Sequence, residues 1–294
     1  MTHTVALLHK PSPALGACMM AGVERDTRGC MLDDAERFNY YPATPMAVIS
    51  WIFEGELHMV EVQDSNSQPT LGPPLPQIVF SGPRQRPSVS WSSGEVHALS
   101  VGFYPDAMSR LMDRPIEPYL NQTLPLDQIA PPSLLMACQA ILNVGNDAPF
   151  AMLEAQFQRL WHGPNHASPM PYLSVWVHSL ATRAAHSPTG RSLRQMQRRI
   201  RSWTGQSYRD LQLFTRIEQA FIHRIEAHDD TAPNLAAIAA DAGFADQSHM
   251  GREIRRVTGL SPASFGDRLA DDEAFWYYRL IAGELQRQPV TTAS

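Results

Sequence analysis

The sequence predicts an α+β protein with a β-rich first half and an all-helical second half. Apolar residues that alternate or run continuously, as in AVISWIF and LHMVEV, predict strands before Pro105. Apolar residues three or four positions apart predict helices after it, as in DAMSRLMD, SLLMACQAILNV and FAMLEAQFQRLW. The composition HGPNHASPMP at residues 162–171 is typical of a linker, so we place the boundary between the two parts there.

Turn residues divide the first part into short strands. The tripeptide EGE at residues 54–56 separates AVISWIF from LHMVEV, which predicts a hairpin between those strands. The stretch QDSNSQPTLGPPLPQ at residues 63–77 predicts a surface loop. QIVFSG and SVSWSSGEVHALSVGF predict further strands, the last with Leu99, Val101 and Phe103 on one face.

The bulk composition narrows the class of protein. The chain of 294 residues is long enough for two domains, and its 44% apolar and 18% charged residues are typical of globular proteins. It has no apolar run long enough to span a membrane, and its N-terminus lacks the features of a signal peptide. Cys18, Cys30 and Cys138 form no CxxC pair. We therefore expect a cytoplasmic protein with free thiols and no disulfide or zinc site.

Charge is distributed unevenly between the two parts. Residues 1–170 contain 9 Lys and Arg against 16 Asp and Glu, whereas residues 171–294 contain 15 against 13. Lys10 is the only lysine, so the positive charge is almost entirely arginine. An acidic part followed by a more basic one indicates a binding module attached to a different kind of domain.

The most specific pattern is an internal repeat in the second part. RIRSWTGQS at residues 199–207 matches EIRRVTGLS at residues 253–261. Each copy predicts a helix with an apolar stripe on one face and polar residues, many of them arginine, on the other. Ser192 and Asp246 stand at equivalent positions before the two helices and are expected N-caps. A Thr-Gly pair ends each copy, and glycine there can adopt the left-handed conformation.

The second copy completes a helix-turn-helix. Asn234 is an expected cap for the alanine-rich helix LAAIAAD, and Gly243 ends that helix before the second one starts. Val177 and Leu180 belong to a compatible helix before the first copy, but the turn HSPTGR there is about four residues longer.

A single long helix is predicted between the two units, over SYRDLQLFTRIEQAFIHRIEAH at residues 207–228. At 1.5 Å per residue it spans about 33 Å, close to the roughly 34–36 Å of one turn of B-DNA. A helix of that length can hold two recognition helices over successive major grooves on one side of a duplex.

These motifs resemble those of the AraC/XylS family of bacterial transcription regulators. LAAIAADAGFADQSHMGREIRRVTGLSPASF at residues 235–265 resembles the family's hallmark second motif, and SLRQMQRRIRSWTGQS at residues 192–207 resembles its first recognition helix. The resemblance implies a seven-helix DNA-binding domain of two helix-turn-helix subdomains at residues 172–268. The first part is similar to the cupin-like domains that precede this unit in many members, where they sense small molecules or mediate dimerisation.

The resemblance therefore completes the predicted domain order. A β-rich, cupin-like sensor or dimerisation domain with C-terminal helices covers residues 1–165. The all-α DNA-binding domain, with its two subdomains joined by the long helix, covers residues 172–268. A helical, aromatic-rich tail at residues 269–294 continues past the point where many members stop.

The resemblance also assigns base-facing positions on both recognition helices. Arginine pairs with guanine and glutamine with adenine in the major groove, and further arginines contact phosphates. We expect Arg199, Arg201, Arg255 and Arg256 to contact phosphate or an internal carboxylate such as Glu253. The resemblance places the base-facing positions on Arg194, Gln197 and Arg198 in the first helix and on Gln247, Ser248 and Arg252 in the second, with Gln195 and His249 beside them. Together with Arg201 and Arg255, these are the predicted DNA-binding residues.

Other chemistries find little support in the sequence. His58 and His97 lie on predicted strands, but no HxH followed by Glu occurs at metal-ligand spacing. GxSxG, HExxH, P-loop and GxGxxG motifs are absent, so we expect no catalytic residue, metal or cofactor. Trp203 is expected in the core. The tail aromatics at residues 275–278 are expected to pack internally, or to form a docking surface for the first domain or a second subunit.

The favoured function is a sequence-specific DNA-binding transcription regulator, modulated by a small-molecule effector bound to the N-terminal domain. Its expected partners are double-stranded promoter DNA, the effector, RNA polymerase if the chain is an activator, and a second copy of the chain if it dimerises. Two alternatives stay open. One is a cupin-like enzyme with a helical regulatory appendage, and the other is an effector-independent dimeric DNA-binding protein.

Overall fold

A computed structural model describes residues 3–61, 69–143, 148–163, 173–186, 192–226, 234–261, 268 and 272–287. Strands dominate up to Phe103 and helices dominate after it, which confirms the predicted α+β class. The strands are β1 Val5–His9, β2 Met19–Asp26, β3 Phe38–Tyr41, β4 Ala47–Glu54, β5 Leu57–Glu61, β6 Thr70–Pro74, β7 Ile78–Ser81, β8 Ser88–Ser92, β9 His97–Phe103 and β10 Thr123–Pro125.

The helices lie on both sides of the predicted boundary. Those before it are α1 Pro105–Leu111, α2 Pro132–Leu142 and α3 Pro149–Leu160, as the apolar spacing predicts. Helix α1 precedes the last strand, β10. Short 3-10 turns occupy Glu117–Tyr119 and Leu126–Gln128. The later helices are α4 Leu173–Ala185, α5 Leu193–Thr204, α6 Tyr208–Glu226, α7 Leu235–Asp241, α8 Gln247–Thr258 and α9 Trp276–Arg287.

The strands form two antiparallel sheets. Six strands lie in the order β1-β2-β9-β4-β7-β10, and four lie in the order β3-β8-β5-β6. Strand β9 pairs with β2 on one side and β4 on the other, so it lies inside the larger sheet. We call the region formed by the two sheets and α1–α3 the β-domain.

The predicted hairpin at residues 54–56 is wrong. Strands β4 and β5 do flank it, but β4 pairs with β7 and β9, whereas β5 pairs with β6 and β8 in the other sheet. Gly55 has a φ of +84°, and a Cβ there would lie 2.1 Å from the carbonyl oxygen of Glu95. Glycine therefore allows the chain to turn from one sheet into the other at this crowded point.

The predicted surface loop at residues 63–77 is also wrong in part, because it contains strand β6. This strand carries Pro73 and Pro74, yet it pairs with β5 from Glu61↔Thr70 to His58↔Pro74. Strand β6 lies at the edge of its sheet, where proline is tolerated because no further strand needs its N–H. Residues 63–68 lie outside the described part of the chain.

The two faces of β9 face different regions of the β-domain. Leu99, Val101 and Phe103 are fully buried in the main core, as predicted for one face. This face packs on the helices of the β-domain, with the Phe103 ring 5.1 Å from that of Phe157 in α3. The alternate residues Ala98, Ser100 and Gly102 are small and line a cavity between the two sheets.

The second part contains the expected helices. Trp176, Val177, Leu180 and Ala184 form the buried face of α4, while the turn at residues 187–191 and most of the predicted linker lie outside the described residues. Helix α6 is described over 19 residues, a length of about 28 Å. The end of the predicted long helix falls at residues 227–228, outside the described ranges, so its length of about 33 Å stays a prediction.

The helical tail that is predicted at residues 269–294 begins, in the described part of the chain, with a 3-10 turn and not with an α-helix. The Oδ1 atom of Asp272 accepts a hydrogen bond from the backbone N of Ala274 at 3.1 Å and caps a 3-10 turn at Glu273–Phe275. Helix α9 follows that turn directly. Apolar spacing alone did not reveal the cap, because aspartate is also common within the first turn of a helix.

The described residues contain neither a helix that could cross a membrane nor a disulfide. None of their helices is long and apolar enough to cross a membrane. No disulfide joins any two of Cys18, Cys30 and Cys138, and burial raises the pKa of the Cys18 and Cys138 thiols.

A polar triad of His9, Glu24 and His97 links the neighbouring strands β1, β2 and β9 of the larger sheet. The Nε2 atoms of His9 and His97 each lie 2.8 Å from an oxygen of Glu24, which stands between them on β2. Hydrogen bonds from the two imidazoles lower the pKa of Glu24 to about 2, below its ordinary value of 4.5. Because the folded pKa is depressed, this contribution to stability is present above about pH 4.5 and is lost as the pH falls towards 2.

We expect Glu24→Gln to lower the free energy of unfolding by about 1–2 kcal/mol at pH 7, because it removes two charge-assisted hydrogen bonds. Urea titrations at pH 7 and pH 3 should show a smaller acid-induced loss in the variant than in the wild type. Glu95→Gln, at an exposed position, is the matched control. Equal acid sensitivity in wild type and Glu24→Gln would contradict the assignment.

Candidate nucleic-acid interface

The two repeated helices begin with the predicted caps. The Oγ of Ser192 accepts from the backbone N of Gln195 at 3.3 Å, and the Gln195 side chain accepts from the Ser192 backbone N at 3.2 Å. This reciprocal pair is a capping box at the start of α5. The Oδ1 of Asp246 accepts from the backbone N of His249 at 2.6 Å at the start of α8. Both predicted N-caps are confirmed.

The two helices also end alike, which shows that the repeat is structural. Thr204 Oγ1 donates to the Ile200 carbonyl at 2.8 Å, and Thr258 Oγ1 donates to the Ile254 carbonyl at 2.8 Å. The glycine after each threonine is left-handed, with φ values of 74° and 76°. The same local hydrogen bonds therefore recur 54 positions apart.

Helix α7 completes the second helix-turn-helix as predicted. The side chain of Asn234 accepts from the backbone N of Ala236 and Ala237 at 3.1 and 3.2 Å. Gly243, with a φ of +74°, forms the turn into α8. Alanine side chains lie where α7 packs against its neighbours, and Ala239 is fully buried there.

Most of the predicted DNA-binding residues are exposed. Among the residues that the structure describes, the guanidinium groups of Arg194, Arg198, Arg252 and Arg255 form neither an ion pair nor a hydrogen bond. A set of uncommitted cations along two helix faces can bind an anionic surface. The exposed members of the predicted set are Arg194, Gln197, Arg198 and Arg201 on α5, and Gln247, Ser248, Arg252 and Arg255 on α8.

Two predicted residues near the starts of the helices are already engaged within the protein. Gln195 forms the capping box and is half-buried. The ring of His249 lies edge-on to Phe244 at 5.6 Å, and its Nδ1 accepts from the backbone N of Ala245 at 3.4 Å. Both side chains therefore fix the beginnings of their helices, and base contact would compete with these bonds.

The remaining arginines of the two helices have internal partners. Arg199 donates to the carbonyl of Ala184 at 2.7 Å, and Arg256 lies 3.6 Å from both Glu253 and Asp210. Arg201 donates from Nε to Glu117 at 2.9 Å, which links α5 to the β-domain. Trp203 is half-buried against the main core, as predicted.

The carboxyl ends of both recognition helices contact the β-domain. After α5, the Gln206 side chain donates to the carbonyl of Pro45 at 3.2 Å. At the end of α8, the backbone N of Ala43 donates to the carbonyl of Val257 at 2.7 Å. A Cβ on Gly205 would lie 3.1 Å from Glu117 Cα, so the packing there is tight. The amino-terminal halves of the helices carry the exposed base-facing residues.

A cavity of about 370 Å³ lies where these parts meet. Both sheets supply small or aliphatic side chains to it, including Ala98 and Val79 from the larger sheet. The helical part closes it with Phe214 and Ile217 of α6 and with Trp276, Tyr277 and Ile281 of α9. The cavity was not predicted from the sequence, although the small residues at alternate positions of β9 were the available signal.

Four charged side chains, those of Arg25, Arg84, Glu218 and Glu284, stand at the wall of this largely apolar cavity. Burial lowers the pKa of Arg84, whose Nη2 donates to the hydroxyl of Thr123. Burial raises the pKa of Glu218 to about 7, and its Oε1 accepts from the backbone N of Leu173 at 3.1 Å. The Oε2 of Glu218 is buried and has no hydrogen-bond partner among the described residues.

The two strand histidines are tied to local partners. His97 joins Glu24, and the Nδ1 of His58 lies 2.9 Å from the carbonyl oxygen of Gly72. Within the described ranges, no three His, Cys, Asp or Glu side chains are grouped so that they could hold a metal ion.

Comparison with known protein families gives a match in the helical part of the chain. Residues 187–268 match a family model described as a helix-turn-helix domain. Curated protein sequences give no match.

Solved structures that resemble the chain include several of ToxT from Vibrio cholerae. One ToxT structure is 13% identical, with 90% of this chain and 98% of that chain covered, at a TM-score of 0.36. The unsaturated fatty acid-bound wild-type ToxT is 14% identical, with 90% and 95% covered, at a TM-score of 0.35. FeII HppE is 16% identical over 34% of this chain and 50% of that chain, at a TM-score of 0.26.

We expect Asp246→Ala to lower the free energy of unfolding by about 1 kcal/mol, because the first turn of α8 loses its cap. Asp246→Asn should retain nearly all the stability, since asparagine caps helices about as well as aspartate. Urea denaturation of the three proteins provides the measurement. A loss of equal size in both variants would show that the charge, not the cap, matters at this position.

Proposed function

We propose that the AraC-type helix-turn-helix unit at residues 187–268 makes this chain a sequence-specific DNA-binding transcription regulator. The observation that carries the proposal is the pair of matched helices with exposed, uncommitted arginines on equivalent faces. A merely solvated helix face needs no second copy with the same caps and the same exit. DNA offers repeated major-groove faces that two such helices can occupy.

The assignment of roles within the two helices follows from their position and partners. Arg194, Arg198 and Arg252 lie in the amino-terminal halves of α5 and α8, the part of a recognition helix that contacts base edges. Arg255 lies one turn further along α8 and suits a phosphate contact. Arg201 is paired with Glu117, so a phosphate contact from Arg201 requires that this link between α5 and the β-domain opens.

The effector site of this proposal is the cavity between the sheets and the helical part. It is large enough for a small organic molecule, and its walls are predominantly apolar. The β-domain and the DNA-binding unit both contribute side chains, so a bound molecule contacts both at once. An effector there can change the free energy of their association, which is what regulation of DNA binding requires.

The wider partners of the proposal are promoter DNA in the cytoplasm, RNA polymerase for an activator, and a second copy of the chain for a dimer. Sedimentation of the protein with and without promoter DNA tests the dimer directly.

Variants of single arginines test the DNA-binding proposal. We expect Arg252→Ala to weaken binding to the specific site by about 1–3 kcal/mol and to relax base preference at one half-site, because a bidentate base contact is lost. Arg194→Ala should do the same at the other half-site. Gel-shift titrations measure both effects. They use DNA from the region upstream of the protein's own gene and single-base variants of that DNA.

Arg255→Ala should instead weaken binding to all sequences and reduce the salt slope of the affinity by about one unit, because a phosphate contact releases counterions. Arg159→Ala, at an exposed position of α3 in the β-domain, is the charge-matched control and should change neither quantity. Wild-type binding without sequence preference at moderate salt would refute the proposed function.

A probe of the cavity tests the effector site. We expect the fluorescent apolar probe 1-anilinonaphthalene-8-sulfonate to bind the folded wild type with one-site stoichiometry and to raise its melting temperature. Ala98→Leu should weaken this binding, because the added side chain occupies cavity volume. Ala151→Leu, at an exposed position of α3, is the control. Equal probe binding by wild type and Ala98→Leu would exclude this cavity as the site.

A further inference from the structure

The C-terminal segment, defined here as residues 272–287, is anchored to the β-domain at both ends. At its start, Glu273 accepts from the Arg25 guanidinium and, at 2.8 Å, from the hydroxyl of Thr4. Towards its end, the buried carboxylate of Glu284 pairs with Lys10 at 2.5 Å. These bonds reach β2 and the residues on either side of β1, so the segment is tied to the larger sheet.

Aromatic rings continue this attachment along β3 in the smaller sheet. Phe275 stacks on Tyr40 with ring centroids 4.6 Å apart, and Tyr277 meets Tyr41 edge-on at 5.3 Å. The indole Nε1 of Trp276 donates to the side-chain oxygen of Asn39 at 2.8 Å. The tail aromatics therefore dock on the β-domain, which is one of the two roles that the sequence left open.

The same segment contacts the second recognition helix. The hydroxyl of Tyr278 donates to the carbonyl of Thr258 at 3.0 Å, at the last residue of α8. Leu260, two residues further along, packs against the cluster of Ala274, Phe275 and Tyr278. Backbone carbonyls at the end of a helix have no partner within that helix, so this hydroxyl satisfies one of them.

The first recognition helix provides an internal comparison. Its equivalent exit, at Thr204 and Gln206, contacts Pro45 of the β-domain and has no hydrogen bond to the C-terminal segment among the described residues. Among the described residues, the segment thus hydrogen-bonds to the exit of the second copy and not to that of the first, although the two copies share their caps and their threonine bonds.

The segment also forms one wall of the cavity. Its lining residues include Trp276, Tyr277, Tyr278 and Ile281 of the segment, together with Thr258 at the end of α8. Within one turn of helix, the segment therefore faces the cavity and binds the end of α8. A molecule that fills the cavity would press on side chains adjacent to the hydrogen bond with Thr258.

We propose that the C-terminal segment is the coupling element between the cavity and the second recognition helix, with Trp276 and Tyr277 contacting an apolar ligand and Tyr278 fixing α8. The proposal depends on the proposed function for the identity of the cavity as an effector site. It assigns these aromatic residues, which lie beyond the matched helix-turn-helix domain, to ligand contact and to transmission. A filled cavity holds the segment in place and keeps the end of α8 ordered.

A purely structural role for the segment makes a different prediction. Loss of a packing residue lowers global stability and accelerates amide exchange throughout the fold. Loss of a coupling bond accelerates exchange at the end of α8 and leaves the end of α5 unchanged. The repeat makes the two sites directly comparable within one molecule.

Tyr278→Phe is the test variant, because it removes the hydroxyl and keeps the ring. Tyr40→Phe removes a hydroxyl from a ring that stacks on the same segment but does not line the cavity, and it is the matched control. Hydrogen–deuterium exchange of the full chain is followed at residues 254–260 and, for comparison, at residues 200–206. We expect about three- to tenfold faster exchange at residues 254–260 in Tyr278→Phe only, the size of effect that one hydrogen bond provides.

Filling the cavity tests transmission without a ligand. We expect Ala98→Leu to slow exchange at residues 254–260 at least about twofold in the wild-type background and to have no such effect in the Tyr278→Phe background. Faster exchange in both repeats, or no change in either, overturns the proposal. An equal response to Ala98→Leu in both backgrounds overturns it as well.

Measurements of DNA binding distinguish a failure of this coupling proposal from a failure of the proposed function. Tyr278→Phe should weaken the half-site that Arg252 contacts by about three- to tenfold and leave the half-site of Arg194 unchanged. A wild type without specific DNA binding refutes the proposed function, while the exchange comparison still decides the role of the segment. Equal losses at both half-sites in Tyr278→Phe overturn the coupling proposal alone.

Discussion

The attachment of both recognition helices to the β-domain by their carboxyl ends is the constraint on which the arrangement depends. Ala43 holds the end of α8, whereas Pro45 and Glu117 hold the end of α5. A helix fixed at its carboxyl end keeps its amino-terminal half free. Base contacts are made from that half, so the arginines remain available while the helices are held in place. The β-domain therefore affects DNA binding through the orientation of the two helices rather than by covering them.

The cavity and the main core have a common origin in the alternation of residues along β9. Large side chains at odd-numbered positions from Leu99 to Phe103 fill the space beneath α1–α3, and small ones at Ala98, Ser100 and Gly102 leave room on the other face. Because successive residues of a strand point to opposite faces, one strand can support both regions. The open end of the space between the sheets is then closed by helices of the second part. This closure brings the cavity that we propose as the effector site together with the helix-turn-helix elements.

The sequence revealed local structure well and missed what depends on distant partners. The caps at Ser192, Asp246 and Asn234 and the left-handed glycines after α5 and α8 were predictable, because each depends on residues within one helical turn. The hairpin at residues 54–56 was wrong because the partner of a strand is chosen by the whole sheet, not by the turn beside it. The same limit applies to β6, whose prolines are acceptable only at an edge.

In the candidate site, too, local features could be predicted from the sequence, whereas contacts with distant residues could not. The exposed positions on α5 and α8 follow from helical periodicity, and the structure places them as expected. Nothing near Arg201 in the sequence indicates that Glu117, 84 residues away, binds it. The contact between Tyr278 and Thr258 was likewise hidden, because hydroxyl and carbonyl come together only after the C-terminal segment docks on β3. Contacts between domains were therefore the part that the sequence could not supply.

The proposed function requires that two equivalent helices contact DNA side by side. In vitro selection of binding sites from random duplex DNA, with the full chain, tests it most directly. We expect an enriched motif of two conserved blocks whose centres lie about 10 base pairs apart, one turn of the double helix. A motif with a single conserved block, or no enrichment over random DNA, would contradict it.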